Sequence, residues 1–192
     1  MTAGIGHNRP PESANAWARH CWTRARAELV GERMPIEMVR TRMARARELG
    51  LSFPQYRSIL LGGGRDVTAF LFTCEGLHLK LRRELEMPAP VREKLAGIVR
   101  TDLVALSPSG GVPEAFRAEL SAVAGRDFRA AGAEPEVHAS WSEQRRAVRD
   151  LIGAAKLPAQ SVVMIGQGRD IGWAEAAQLV RFIPREDYFE AC

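Results

Sequence analysis

The chain has 192 residues, of which 46% are hydrophobic and 26% are charged. This length fits one ordinary domain, with or without a helical attachment, and the composition excludes disordered, collagen-like and coiled-coil proteins. No run of 18 uncharged apolar residues occurs in the sequence, so we expect neither a membrane-spanning segment nor a membrane partner.

The cysteines and the first residues indicate a reducing compartment. The three cysteines, Cys21, Cys74 and Cys192, include no CxxC pair, and residues 1–17 lack the apolar core of a secretory signal. No histidine or cysteine pair has the spacing of a zinc site. We therefore expect a cytoplasmic protein with no bound cofactor.

The net positive charge comes from the first fifty residues. They contain nine arginines and five glutamates, and this surplus equals the formal net charge of +4. Clustered cations attract phosphates and acidic proteins. Arginine outnumbers lysine by 24 to 3 over the whole chain, however, so a general compositional bias explains the surplus equally well.

Two helices are predicted in the N-terminal part of the chain. Residues 1–13 have little to bury and are expected to form a mobile arm, while residues 14–64 are expected to form an arginine-rich helical segment. The apolar face of its first helix has a four-residue spacing and consists of Trp17, Cys21, Ala25 and Leu29. The second helix begins at Pro35, and its predicted apolar face consists of Ile36, Val39, Met43 and Ala46.

Seven arginines flank these faces and are the candidate partner-binding residues: Arg19, Arg24, Arg26, Arg40, Arg42, Arg45 and Arg47. They lie on both sides of the helices, so they fit a partner surface or a solvated helix edge. A short helix around Tyr56 and a glycine-rich joint at 61–64 precede the expected domain boundary.

Residues 65–192 alternate between short apolar strands and longer helices. The predicted strands are 67–72, 103–106, 161–165 and 180–183, and the predicted helices are 89–99, 113–123, 142–152 and 171–179. Strands that are apolar on both sides are typical of a parallel sheet covered by helices on both faces. The sequence therefore predicts a doubly wound, Rossmann-like α/β domain. Such sheets bind ligands at the carboxyl ends of their strands.

The segments at three of these strand ends carry a family resemblance. They are Phe72-Thr73-Cys74-Glu75-Gly76, Leu106-Ser107 and Gly166-Gln167-Gly168-Arg169-Asp170. In this order they resemble the haloacid dehalogenase-like (HAD-like) hydrolases. That family has an apolar strand ending in Asp-x-Asp-Gly, a second ending in Thr or Ser, and a later strand followed by Gly-Asp and a further Asp. The resemblance covers residues 66–183 and implies a capless α/β core.

The same resemblance implies a phosphohydrolase, from which this sequence departs. In the family a carboxylate attacks phosphorus, and acids of the first and third loops hold Mg²⁺. Thr73 stands at the nucleophile position, Glu75 at the acid/base position and Gln167 at a metal-binding position. Only Glu75 and Asp170 remain as acidic ligands for Mg²⁺. These departures argue against a working phosphatase.

The chain could still bind a phosphate group without catalysing a reaction. Ser107 matches the serine or threonine that contacts phosphate in the family, and Lys156 could supply the family's positive charge. Residues 166–168 could present backbone N–H groups to an anion before the following helix. A turn, a solvated lysine and an ordinary glycine loop explain the same residues.

We expect a non-catalytic binding or regulatory protein, built on a degenerate HAD-like domain, that contacts a protein partner or a second copy through its helical N-terminal segment. One alternative is a nucleic-acid-binding regulator that uses the seven arginines. Another is an enzyme acting on a phosphorylated metabolite, either with Mg²⁺ at Glu75 and Asp170 or with Cys74 as the nucleophile.

Overall fold

A computed structural model describes residues 34–81, 85–136 and 138–189. The predicted arm, the predicted first helix and the candidate residues Arg19, Arg24 and Arg26 therefore lie outside the described residues. The helices are α1 Ile36–Glu48, α2 Phe53–Gly63, α3 Ala89–Gly97, α4 Pro113–Ala124, α5 Trp141–Ala154, α6 Ile171–Ala176 and α7 Arg185–Phe189. The strands are β1 Ala69–Phe72, β2 Lys80–Leu81, β3 Leu85–Glu86, β4 Asp102–Ser107, β5 Ala130–Ala133, β6 Val162–Gly166 and β7 Arg181–Pro184.

Five of the strands form one parallel sheet in the order β5-β4-β1-β6-β7. Strand β1 lies in the middle, where Phe72 pairs with Ala105 of β4 and with Ile165 of β6. The predicted parallel α/β sheet is thereby confirmed. Strands β2 and β3 form a separate antiparallel pair between β1 and α3.

Helices cover both faces of the sheet. Along β1, Phe70 and Phe72 belong to one hydrophobic cluster, while Ala69 and Leu71 belong to another. This alternation follows from the two-residue period of a strand. The first cluster includes buried residues of α1, α2, α3, α4 and α7, and the second includes buried residues of α5 and α6.

Local sequence signals explain where several helices begin. Ser52 caps α2 and Ser140 caps α5, and each forms a reciprocal capping box with the residue three positions later, Gln55 or Glu143. No helix in the described residues is long and apolar enough to cross a membrane.

Helix α1 buries only part of the apolar face that the sequence predicted, since Val39 is half-buried and Ala46 is buried. Ala46 and Leu49 are fully buried, but Ile36 and Met43 are 66% and 37% exposed. The polar side chain of Arg45 accounts for part of this difference, because it is only 14% exposed and turns one side of α1 towards the body of the protein.

Arg45 fastens α1 to the segments that lead into β1 and β4. Its guanidinium donates to Asp66 at 2.9 Å, to Glu48 at 3.0 Å, and to the carbonyl oxygens of Val67 and Val99 at 2.9 and 3.1 Å. These bonds use both terminal nitrogens and Nε of the side chain. Arg45 was a candidate for partner binding, and in the structure its guanidinium is bonded within the protein.

We predict that Arg45→Ala lowers the free energy of unfolding by about 1–3 kcal/mol, because the partly buried carbonyl of Val67 loses its donor and Asp66 loses its ion pair. Urea denaturation of the purified protein measures this change. The matched control is Arg47→Ala, an exposed arginine on the same helix, for which we expect a change within about 0.5 kcal/mol. Equal effects of the two substitutions would contradict the anchoring role.

Candidate functional site

The three loops singled out in the sequence meet at the carboxyl end of the sheet. They follow β1, β4 and β6, which are adjacent in the sheet order. Thr73, Ser107 and Asp170 are each fully buried there. The expected convergence of these loops follows from the parallel pairing of the three strands.

A hydrogen bond between Thr73 and Asp170 joins the first loop to the third. The Thr73 hydroxyl donates to Oδ2 of Asp170 at 2.8 Å, and the backbone N–H of Gln167 donates to the same oxygen at 2.9 Å. The Thr73 oxygen in turn accepts from the backbone N–H of Gly76 at 3.0 Å. Thr73 therefore links the first loop to the third.

Two glycines allow this close approach. A Cβ on Gly76 would overlap the carbonyl oxygen of Ile165 and lie 3.1 Å from Cα of Gly166. A Cβ on Gly166 would lie 2.5 Å from Oδ2 of Asp170 and 3.1 Å from Oγ1 of Thr73. The loop after β1 thus packs directly against the backbone of β6, and a larger side chain at either position would separate the bonded groups.

Glu75 is bonded to arginines of neighbouring loops. Its Oε1 forms an ion pair with Arg169, and its backbone carbonyl accepts from Arg185 at 2.9 Å. The Arg169 side chain also places Nε 3.7 Å from Oδ1 of Asp170. One guanidinium therefore stands beside both of the acids that remained as candidate ligands for Mg²⁺.

Burial raises the pKa of two acids at this end of the sheet. It raises the pKa of Asp170 above its usual value, while the hydrogen bonds from Thr73 and Gln167 oppose that rise. Glu134, which follows β5, also has a raised pKa because of burial, and the charges of Glu75 and Asp170 add to the effect. Its carboxylate accepts from the backbone N–H of Ser109 at 3.1 Å.

At this end of the sheet, three buried polar atoms have no hydrogen-bond partner among the described residues: Oε2 of Glu75, Oγ of Ser107 and Oδ1 of Asp170. Buried polar atoms are normally paired. Two of these atoms are carboxylate oxygens, which accept hydrogen bonds, so a donor group fits them better than a phosphate does. The charge at this end of the sheet is therefore unfavourable for the small-anion site considered from the sequence.

Cys74 is a poor nucleophile in this setting. Its thiol donates to the carbonyl oxygen of Leu106 at 3.2 Å. Burial, together with the negative charges of Glu134, Glu75 and Asp170, raises the pKa of Cys74 to about 12. The thiolate, which is the reactive form, is therefore scarce at neutral pH.

Lys156 does not join these residues. It follows α5 and precedes the beginning of β6, so it lies towards the amino end of the sheet, whereas Thr73 and Asp170 lie at the carboxyl end. Gln167 is in the third loop, where its backbone N–H donates to Asp170.

Three residues of this site, Arg169, Glu134 and Arg185, were not predicted from the sequence to have a role. For Arg169, the sequence offered one signal, which is its position directly before Asp170. Glu134 could not be placed because the short strand before it was not predicted, and Arg185 begins a helix that was not predicted either.

The two candidate ligands for Mg²⁺, Glu75 and Asp170, each have one oxygen bonded within the protein and one without a hydrogen-bond partner among the described residues. Magnesium prefers anionic oxygens in octahedral geometry with room for water. Oδ2 of Asp170 already accepts two hydrogen bonds, and Glu75 already pairs with a guanidinium. Within the described ranges, no group of three histidine, cysteine or acidic side chains is arranged to hold a metal ion.

The candidate partner-binding arginines of α1 have different surroundings. Arg40 and Arg47 are exposed, and Arg40 pairs with Glu37 at 3.2 Å. Arg42 is half-buried and donates towards the sulfur of Met34 at 3.2 Å. Of these four candidate arginines, Arg45 is the one whose guanidinium is bonded to the segments before β1 and β4.

Comparison with known proteins gives no relative. No protein-family model, no curated protein and no solved structure matches this chain.

We predict that Gly76→Ala lowers the free energy of unfolding by about 2–4 kcal/mol, because the backbone of a central strand cannot move aside for the new methyl group. Urea denaturation measures the effect. Gly153→Ala is the matched control, since a Cβ there meets nothing within 4 Å, and it should stabilise α5 by about 0.5–1 kcal/mol. A Gly76→Ala protein as stable as the wild type would show that this loop does not pack on β6.

Proposed function

We propose that this chain is a non-catalytic binding or regulatory protein, built on a degenerate HAD-like domain, and that its helical N-terminal segment contacts a protein partner. The HAD-like part of the proposal draws support from the sheet. The three strands whose ends carry the resemblance are adjacent, with β1 in the middle, so Thr73, Ser107 and Asp170 share one end of it.

The position of Arg169 carries the non-catalytic part of the proposal. Its guanidinium pairs with Glu75 and lies 3.7 Å from Oδ1 of Asp170. A charge that a metal ion would otherwise supply is thus provided by the chain itself. The two acids that Arg169 contacts, Glu75 and Asp170, are the ligands that the phosphohydrolase alternative needs for Mg²⁺.

Thr73 adds a second argument. Its hydroxyl is fully buried and donates to Asp170 at 2.8 Å. A hydroxyl attacks phosphorus only after it loses its proton, and a carboxylate is a weak base for that step. Burial also keeps a phosphate ester from reaching the oxygen. The bond is therefore better suited to holding two loops together than to catalysis.

The residues on the outer face of α1 support the proposal of a protein partner. Ile36, Arg40, Met43 and Arg47 recur at helical spacing, and all four are exposed. Methionine, arginine and aromatic side chains are enriched in protein interfaces, and this face carries the first two. With Arg45 directed inward, this face has fewer cations than a nucleic-acid surface using all the arginines of the helix would have. That difference favours a protein over a nucleic acid.

We predict that turnover of p-nitrophenyl phosphate stays at the no-protein rate, with or without Mg²⁺, because the hydroxyl of Thr73 is fully buried and bonded to Asp170. The measurement is a colorimetric assay of the full chain. Asp170→Asn is the informative variant, since its side-chain oxygen can still accept from Thr73 and Gln167. Turnover, or stabilisation by Mg²⁺, that is present in the wild type and absent in Asp170→Asn would support the phosphohydrolase alternative.

We predict that Met43→Asp abolishes the association of this protein with its partner, because it places a charge in an apolar part of the outer face of α1. Sedimentation of the purified chain tests association with a second copy, and quantitative capture from a native extract tests other proteins. Val112→Asp is the matched control, since Val112 is also an exposed apolar residue, 68% accessible.

Loss of association in both variants, or in neither, would contradict a partner surface on α1. Association that disappears after nuclease treatment and falls steeply with salt would instead indicate nucleic acid.

A further inference from the structure

A cavity lies at the opposite end of the sheet from the candidate site of Thr73, Ser107 and Asp170. It has a volume of about 330 Å³, and its lining residues are Arg65, Arg145, Arg149, Leu157, Pro158, Ala159, Gln160 and Gln178. Arg65 precedes β1, residues 157–160 precede β6, and Gln178 precedes β7. The cavity therefore opens where these strands begin.

The polar lining of this cavity is cationic. Three of its residues are arginines, and none of the lining residues in the described part of the chain is an acid. Arg149 donates to the side-chain oxygen of Gln178 at 3.4 Å, which directs its guanidinium towards the loop before β7. Arginine is the side chain best suited to bind an oxyanion through two parallel hydrogen bonds.

The charged residues of helix α5 line two different cavities. Arg145 and Arg149 are four residues apart and line this cavity, whereas Glu143, Arg146 and Asp150 line a different cavity on the same helix. Arginines at this spacing repel each other and destabilise a helix slightly. Arg65, from a distant loop, adds a third positive charge to the same space. An anion between the three guanidiniums would offset this repulsion.

The size and lining of the cavity favour a small ligand. Its volume lies at the lower end of the range for small-molecule sites, about 300–1,000 Å³. Gln160 and Gln178 can donate and accept hydrogen bonds, and the segment of Leu157, Pro158 and Ala159 forms an apolar wall. These groups suit the polar and carbon parts of an organic molecule that carries a phosphate.

We propose that this cavity binds the phosphate group of a small organic phosphate, with Arg65, Arg145 and Arg149 as the binding residues. The site is independent of the proposed function, since it lies at the opposite end of the sheet from Thr73 and Asp170. Binding here requires no catalysis and no metal ion.

The test is calorimetric titration of the full chain with two probes, inorganic phosphate and glycerol 2-phosphate, at fixed ionic strength. We expect saturable binding that weakens by about tenfold or more in the double variant R145Q/R149Q, which removes two charge-assisted contacts. Arg146→Gln is the matched control, because Arg146 is on the same helix and faces the other cavity. Circular dichroism confirms that the variants are folded.

The probes distinguish the source of the phosphate group. Tighter binding of glycerol 2-phosphate supports the organic ligand, whereas equal or tighter binding of inorganic phosphate overturns the organic part of the proposal. Absence of saturable binding of either probe overturns it entirely, as does equal weakening in R145Q/R149Q and Arg146→Gln. A single-stranded oligonucleotide is titrated in parallel, and its binding without either small probe would assign the arginines to nucleic acid.

Discussion

The hydrogen bond between Thr73 and Asp170 is the interaction on which the arrangement of the carboxyl end of the sheet depends. One oxygen of Asp170 accepts from the threonine hydroxyl and from the N–H of Gln167, so a single buried atom holds loops that follow two different strands. In a buried, weakly polar environment an unmet donor or acceptor costs about 1–3 kcal/mol. The other oxygen of Asp170, Oδ1, has no hydrogen-bond partner among the described residues.

Arginine has a structural role at several places in this protein. Arg185 donates to the carbonyl of Glu75 at 2.9 Å, and Arg117 donates to the carbonyl of Phe128 at 3.0 Å. Arg169 balances the charge of Glu75. A planar group with five donors can join backbone oxygens of separate loops in a way that a lysine cannot. The excess of arginine over lysine therefore reflects internal contacts as well as surface charge.

The sequence predicted the elements whose patterns are strong and local. Strands β1, β4 and β6 are apolar on both faces, and the observed limits differ from the predicted ones by two residues or fewer. Strand β5 was not predicted because its residues, Ala130–Ala133, are alanines and a glycine, which have low strand propensity. It exists because β4 offers an unpaired edge, which is a tertiary effect.

The candidate site was predictable in position but not in detail. Parallel pairing brought Thr73, Ser107 and Asp170 together as expected from their places after apolar strands. The ion pair of Glu75 with Arg169 could not be foreseen, because it joins residues 94 positions apart in the chain through side-chain geometry. Likewise, the helical pattern placed Ile36, Met43 and Ala46 on one apolar face, but of these three only Ala46 is buried, next to Leu49 and the inward-directed Arg45.

The bonds of Arg45 have a consequence for motion. Its carbonyl partners lie in two separate segments, at Val67 before β1 and at Val99 after α3. Helix α1 therefore cannot detach by gradual fraying around Arg45, because release of the guanidinium breaks contacts to both segments at once. In hydrogen exchange, the amides near the C-terminal end of α1 should open as one cooperative unit, with a protection closer to that of the sheet than to that of a surface helix.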